Sequence, residues 1–288
     1  MNSKRLKMLA TAALAVSAIA VLPQEASAQE IQLTGPLAGA PSHKGLRQYR
    51  KGRFEIAPTV SFSLLDEYRR TILVGAKLQY NITDWLGIGV WGAYGLVSMP
   101  TNLTDQISET SAARDNALGG SNPRTAVNVA QAKYGGFTDQ TAKMQWVAAP
   151  QIQIVPFRGK LALFQKLFID TDAYLHGGLA FVGLQERGDC VQCGDQTVNT
   201  FERQSRLAIA PTFGLGLNFY PSNFISFGFE YRALPFSWNR AGFDTKGGAP
   251  DGRFPDNQVN SEDRTFKFNQ MVSVHIGFSL PTKPKLSK

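Results

Sequence analysis

A chain of 288 residues, 43% hydrophobic and 18% charged, has room for one or two domains with a sizeable core. A mean hydropathy of −0.16 excludes a bundle of membrane-spanning helices, each of which needs ~20 apolar residues. The formal net charge of +8 points to anionic surroundings.

Residues 1–28 read as a secretory signal peptide. Lys4, Arg5 and Lys7 precede the apolar run 8–22, and Ala26-Ser27-Ala28 supplies a small-residue cleavage site. Without Lys4, Arg5, Lys7 and Glu25 the net charge falls from +8 to +6. An exported basic chain meets lipid phosphates and lipopolysaccharide, not nucleic acid. Residues 29–52 lack periodicity and carry Gly35, Pro36, Gly39, Pro41 and Gly45, as a flexible periplasmic arm would. Its basic end (Lys44, Arg47, Arg50, Lys51, Arg53) is expected to stay hydrated or to touch phosphates at the inner leaflet.

From residue 53 onward the dominant signal is alternation, the period of a strand. The first strand, 53–64, sets Phe54, Ile56, Pro58, Val60, Phe62 and Leu64 against Glu55, Ala57, Thr59, Ser61 and Ser63. A second alternates over 72–80 and a third over 86–95, joined by the short turn 81–84. The stretch 98–142 is polar and aperiodic and reads as a long loop. A fourth strand covers 144–154, with Met144 and Trp146 on one face. Residues 161–168 suit either a helical turn or a strand extension. The fifth strand, near 170–184, is the least regular.

The clearest hairpin spans 206–236. Leu207, Ile209, Pro211, Phe213, Leu215, Leu217 and Phe219 alternate with Ala208, Ala210, Thr212, Gly214, Gly216 and Asn218. After Tyr220-Pro221-Ser222-Asn223, Ile225, Phe227, Phe229 and Tyr231 alternate with Ser226, Gly228, Glu230 and Arg232. Small residues suit a crowded interior and aromatics a convex face toward lipid, the pattern of a transmembrane β-barrel. An eighth strand, 266–280, follows the third long loop, 239–265. The expected fold is therefore all-β: an antiparallel up-and-down barrel of eight strands over 53–280, with a basic tail at 281–288.

The hairpin around Asn81 and the one around Ser222 repeat one another at a constant offset, Leu78 to Leu217, Trp85 to Phe224 and Val90 to Phe229. Both turns therefore belong at one end, with Tyr80, Trp85, Phe219, Tyr220 and Phe224 as an interfacial aromatic girdle. The long loops 98–142, 185–204 and 239–265 belong at the other. Pro58, Pro150, Pro211 and Pro235 fall inside strands and should mark bulges or bends, because proline cannot donate to a ladder.

The run Phe54-Glu55-Ile56-Ala57-Pro58, the run Tyr80-Asn81-Ile82-Thr83-Asp84-Trp85-Leu86, Arg158-Gly159-Lys160 and the last strand resemble an outer-membrane β-barrel domain family of myxobacteria and related deltaproteobacteria. The resemblance covers 53–280. It implies barrel architecture and, for some relatives, a part in trans-envelope motility or adhesion machinery. The chain departs from the usual outer-membrane ending, since Pro281 and a lysine-rich tail follow the last strand.

Candidate chemistry is sparse. Cys190 and Cys193 form Cys-x-x-Cys without a second ligand pair, so a local disulfide in an exported loop is favoured over zinc or redox chemistry. Lys77, Asp172, His176, Arg206, Glu230, Arg232 and His275 lie on the small-residue face and should be paired inside the barrel. The third loop's Asp244, Asp251, Asp256, Glu262 and Asp263 lack calcium-loop spacing and read as solvated. No cofactor or metal is implied. The expected function is that of a monomeric outer-membrane protein, inserted by the barrel-assembly machinery, whose long loops bind another envelope or surface component. The alternatives are an enzyme modifying lipid A or phospholipid, and a small porin.

Overall fold

A computed structural model describes residues 49–117, 136–163, 167–188, 202–248, 253–254 and 259–282. The signal peptide, residues 29–48 of the arm, the Cys190–Cys193 pair and residues 283–288 lie outside these. The elements in chain order are β1 (Phe54–Leu64), β2 (Arg69–Asn81), β3 (Leu86–Pro100), α1 (Asn102–Ala117), α2 (Gly136–Gln140), β4 (Lys143–Leu163), β5 (Leu167–Gly188), β6 (Glu202–Tyr220), β7 (Ile225–Trp238), β8 (Gly247–Gly248), β9 (Arg253–Phe254) and β10 (Thr265–Leu280).

Eight of the strands close into one antiparallel ring, β1-β10-β7-β6-β5-β4-β3-β2. The closing ladder joins Phe54 to Leu280 and Leu64 to Gln270. Closure gives every strand of the ring a neighbour on both sides, as hydrocarbon surroundings demand. The alternation decides which face is which. Phe54, Ile56, Val60, Leu78, Ile88, Leu215, Phe227, Phe229 and Ile276 point outward and are exposed, while Ala57, Lys77, Trp91, Ala210, Glu230 and Ser273 point into the bore and are buried. A ring whose outer wall is aliphatic and aromatic and whose inner wall is small or charged is a transmembrane β-barrel.

The short turns 82–85 and 221–224 share one end, called here the turn end, where β4 also finishes and β5 begins. The connection 65–68 lies at the other, the loop end, where β3, β5 and β7 finish and β4, β6 and β10 begin. At 21 and 22 residues, β4 and β5 far exceed the ~9–11 that cross a bilayer. Their hairpin continues past the other turns, pairing Lys160 with Asp170 and Leu163 with Leu167, so 161–163 and 167–168 extend the strands and are not helical, while 164–166 lie outside the described residues.

Three expectations are corrected. The four strand prolines lie at no register shift. Shifts occur instead at Ile72/Leu73, Met144/Trp146 and Ile154/Phe157. The second of these turns Met144 into the bore, buried, while Trp146 stays outside. Pro58, Pro150, Pro211 and Pro235 instead project from the outer face, at positions where one neighbouring ladder omits them. The stretch 98–142 is not all loop: β3 runs on to Pro100, and α1 and α2 follow. Its helices escape a search for apolar periodicity because α1 has no apolar stripe to bury. Finally, Asp244 and Asp263 are buried, not solvated. Asp263 Oδ1 accepts from the backbone N–H groups of Thr245 (2.6 Å) and Lys246 (3.0 Å).

Candidate functional site

The bore divides into two halves of opposite chemistry. On the turn side, β2, β4, β5, β6 and β7 aim polar side chains at one carboxylate. Glu230 Oε1 accepts from Arg232 Nη2 at 2.5 Å, and Oε2 accepts from the Tyr174 hydroxyl at 2.8 Å. Lys77 Nζ stands 3.8 Å from Oε2, and His176 Nε2 3.5 Å from Oε1. Arg232 also donates to Gln151 Oε1 (2.7 Å) and Thr212 Oγ1 (3.1 Å), and its guanidinium lies 4.3 Å from the Trp91 ring centre. His275 Nε2 is 2.9 Å from Asn218 Oδ1. Charges in a narrow interior are tolerable only when paired and hydrogen-bonded, and this cluster meets that condition around Glu230. It needs room, which glycine provides: a Cβ on Gly216 would stand 2.3 Å from the Tyr174 ring.

The turn end is stoppered by the chain itself. Arg50 forms an ion pair with Asp172, and its guanidinium lies 3.6 Å from the Tyr220 ring centre. Asp84 Oδ1 holds the Arg50 and Lys51 backbone N–H groups at 2.8 and 3.1 Å. Arg53 Nη2 donates to the carbonyls of Asn223 (2.7 Å) and Pro281 (3.0 Å). Arg50 and Arg53 are therefore neither hydrated nor free for lipid phosphate, which corrects the expectation for this part of the basic run. Tyr220 is likewise buried beneath Arg50 and does not belong to a girdle. Trp85, at 56% exposed, faces outward, as do Tyr80 and Phe224, while Phe219 is half-buried.

The loop-side half is apolar. Leu73, Met144, Val147, Ala180, Val182, Leu184, Ala208, Ala210, Leu234, Phe236, Trp238 and Met271 pack inside it. Above them sits a cap made from α2 and residues 239–246. Phe137, 0% exposed, stacks on Phe243 at 5.5 Å and meets Tyr68 edge-on at 5.6 Å. Gln140 Nε2 donates to the carbonyls of Ala241 and Gly242 at 2.9 and 3.1 Å. Gly242 has a φ of 66° and gives its N–H to Asn239 Oδ1, a turn that favours glycine. Arg240 reaches the Leu65 carbonyl (3.2 Å) and Asn269 Oδ1 (2.6 Å), and its Nε is 3.9 Å from Asp66. Burial pushes the Asp66 carboxyl up to about 6 against the opposing pull of Arg240. Arg206 lies at this end, not in the turn-side cluster. It grips Glu186 with Nη2 at 2.7 Å and Nε at 3.0 Å, and Arg264 joins the same carboxylate at 3.0 Å.

Chemically, the arrangement lines the bore in two layers, with paired ions below and hydrocarbon above. Among the described residues no three His, Cys, Asp or Glu side chains gather as a metal site would need. The sequence placed Lys77, Asp172, His176, Glu230, Arg232 and His275 on the inner wall, and all six are buried there. It missed the convergence of Tyr174, Gln151 and Thr212 on the cluster, because register between distant strands is not written in any one of them. The cap residues Phe137 and Gln140 went unnoticed too, since five residues of helix leave no period to read.

No family model matches the chain, and no curated protein matches it in sequence. Solved structures share the barrel form. The N-terminal β-barrel domain of Pseudomonas aeruginosa OprF is similar at 10% identity and a TM-score of 0.41, over 81% of this chain and 100% of that one. The outer membrane protein OprG of the same organism gives 9% and 0.37 over 81% and 98%. Ail, the attachment invasion locus protein of Yersinia pestis, gives 10% and 0.32 over 80% and 99%. The eight-stranded ring stands on this chain's own ladders, and such remote likeness passes on nothing about activity.

Proposed function

We propose that the chain is an integral outer-membrane barrel with a structural, partner-binding role, and that its loop-end surface is the contact for another envelope or surface protein. The observation that supports this most is the cap. Loop segments on a rigid scaffold commonly carry binding, and here they are fixed to that scaffold. Besides the buried Phe137, Thr101 Oγ1 donates to the Glu67 carbonyl and Thr104 Oγ1 to that of Tyr68, each at 2.6 Å, so α1 leaves the barrel at a defined place. The paired ions across the turn side of the bore and the Arg50 contacts at the turn end argue for a barrel that does not conduct, and the apolar outer wall for a lipid and lipopolysaccharide environment entered through the assembly machinery. A place in a trans-envelope machine belongs to this reading.

Deleting residues 106–134 tests it, because Thr101, Thr104 and Phe137 stay in place. The shortened barrel is expected to insert in outer membranes and keep its heat-modifiable gel mobility while losing proteins that co-purify with the full chain. Retention of every such protein would refute the loop-end surface as the contact. In planar bilayers the full chain is expected to give no steady conductance steps.

A further inference from the structure

The wall of the barrel is unevenly laced. The β5–β6 ladder runs unbroken from Asp170↔Tyr220 to Gly188↔Glu202, and β7–β10 from Ile225↔Phe278 to Trp238↔Thr265. Between them, the β6–β7 ladder runs only from Phe219↔Phe227 to Phe213↔Ala233. Both strands continue beyond it, β6 back to Glu202 and β7 on to Trp238. Two residues further along the same register, Pro211 falls opposite Pro235. Neither has an N–H to give, so no ladder bond can form there from either side. Beyond them the Ser237 carbonyl is taken at 2.8 Å by Arg206 Nη2, a side chain, instead of a β6 backbone group. The gap is thus bounded, by Phe213↔Ala233 toward the turns and by the contact of Arg206 with the Ser237 carbonyl toward the loops.

Its surroundings are apolar on both sides. Outside, Leu207 and Ile209 are exposed, and Phe213 reaches across Ala233 to Phe268 with ring centres 6.1 Å apart. Inside, Ala208, Ala210, Leu234, Phe236 and Trp238 belong to the apolar half of the bore. Unlaced backbone in hydrocarbon is costly because its polar groups find no partner. Paired prolines both prevent closure and remove two donors that would otherwise be stranded. Opened lower down, the same gap would set hydrocarbon against Glu230 and Arg232. Where it lies, it sets hydrocarbon against hydrocarbon, with the small side chains of Ala208 and Ala210 behind the wall.

We infer that the β6–β7 gap is a lateral window that admits a hydrocarbon chain, from a bilayer lipid or a free fatty acid, into the apolar loop-side interior beside Trp238. The test uses the full chain in phosphatidylcholine bilayers, with Trp85→Phe, Trp91→Phe and Trp146→Phe so that Trp238 alone fluoresces, and Cys190→Ser with Cys193→Ser to leave no other thiol. Ile209→Cys and Ser237→Cys, opposite one another in the extended register, add a bridge that shuts the window when oxidised. Bilayers of acyl-brominated phosphatidylcholine are expected to quench Trp238 in the reduced protein, with loss of quenching on oxidation and recovery on reduction. Brominated fatty acid added to unbrominated bilayers is the second arm, and whichever arm quenches names the source of the chain. Quenching in neither arm, or equal quenching in the oxidised and reduced states, overturns the window. If the bridge does not form, Pro211→Val with Pro235→Val restores two donors, and the same loss of quenching is expected as the ladder closes. Unchanged quenching in that variant, with amide exchange showing the ladder closed, overturns it as well.

Discussion

Within β7, Glu230 and Arg232 face the bore as a buried ion pair, and the next inward residues, Leu234, Phe236 and Trp238, face it as a greasy column. The two sets share a strand, a face and nearly complete burial. What separates them is the company that neighbouring strands provide. Lys77, Tyr174, Gln151 and Thr212 surround the first set. Val182, Leu184, Ala208 and Met271 surround the second. The ionic half holds its shape by geometry, since each charge is acceptable only while its partners stand within hydrogen-bond reach. The apolar half holds its shape by volume, where any shape that fills the space will serve tolerably.

The sharpest way to break this contrast is Glu230→Ala. It strands Arg232 and Lys77 without their shared counter-charge, and a loss of about 3–5 kcal/mol is expected from urea unfolding in detergent micelles. Replacing the whole set (Lys77→Met, Glu230→Leu, Arg232→Met) should recover most of that loss. A triple variant as weak as the single one would show that the charges contribute more than mutual neutralisation. In the other half, Leu234→Ala should cost about 3 kcal/mol through transfer and cavity terms, with no rescue by a charge change elsewhere. Gly216→Ala comes next: its methyl group collides with the Tyr174 ring, displaces the hydroxyl from Glu230 and costs about 1–3 kcal/mol, read as a lower temperature for loss of the compact gel band.

The smallest expected effect lies in the cap. Asp66, raised to about 6 from 3.8, binds its proton more tightly folded than unfolded. Its contribution is therefore fully present below about pH 4 and is lost as pH rises through about 6. Stability of the described loop-end segments, followed by amide exchange, should fall by on the order of 1 kcal/mol across that window. The fall should be absent in Asp66→Asn, and an identical pH profile for both proteins would remove Asp66 as its source.

Much of this contrast was legible from alternation alone. A period of two sorts each strand into faces, so the inward placement of Lys77, Glu230, Arg232, His176 and His275 followed directly from counting. The count of eight followed from the successive alternating runs, and the sharing of one end by two turns from the repeated hairpins. Three things could not be read this way. Met144 turns inward because a register shift adds a residue, and nothing in 143–154 announces it. Arg50 and Tyr220 meet only because the chain ahead of β1 folds back across the turn end, a contact between residues far apart in sequence and carrying no periodic signal. Taken singly, each strand proline is only a local defect. Pro211 and Pro235 gain meaning only when the β6–β7 register brings them face to face.

Arg53 has a consequence for how the barrel is made. It stands just ahead of the first strand, and its guanidinium holds carbonyls at Asn223 and just past the last strand, at Pro281. The β1–β10 ladder has the longest loop to close of any in the ring, and loop-closure entropy must be met before its contacts reward it. Until β10 arrives, β1 and β7 each keep one unpaired edge. The final strand then closes both edges in a single event, and only at that moment do the two carbonyls reach Arg53. The residue works as a late-acting latch: Arg53→Ala should leave the early hairpins forming at their ordinary rate and slow only the step at which the ring becomes endless.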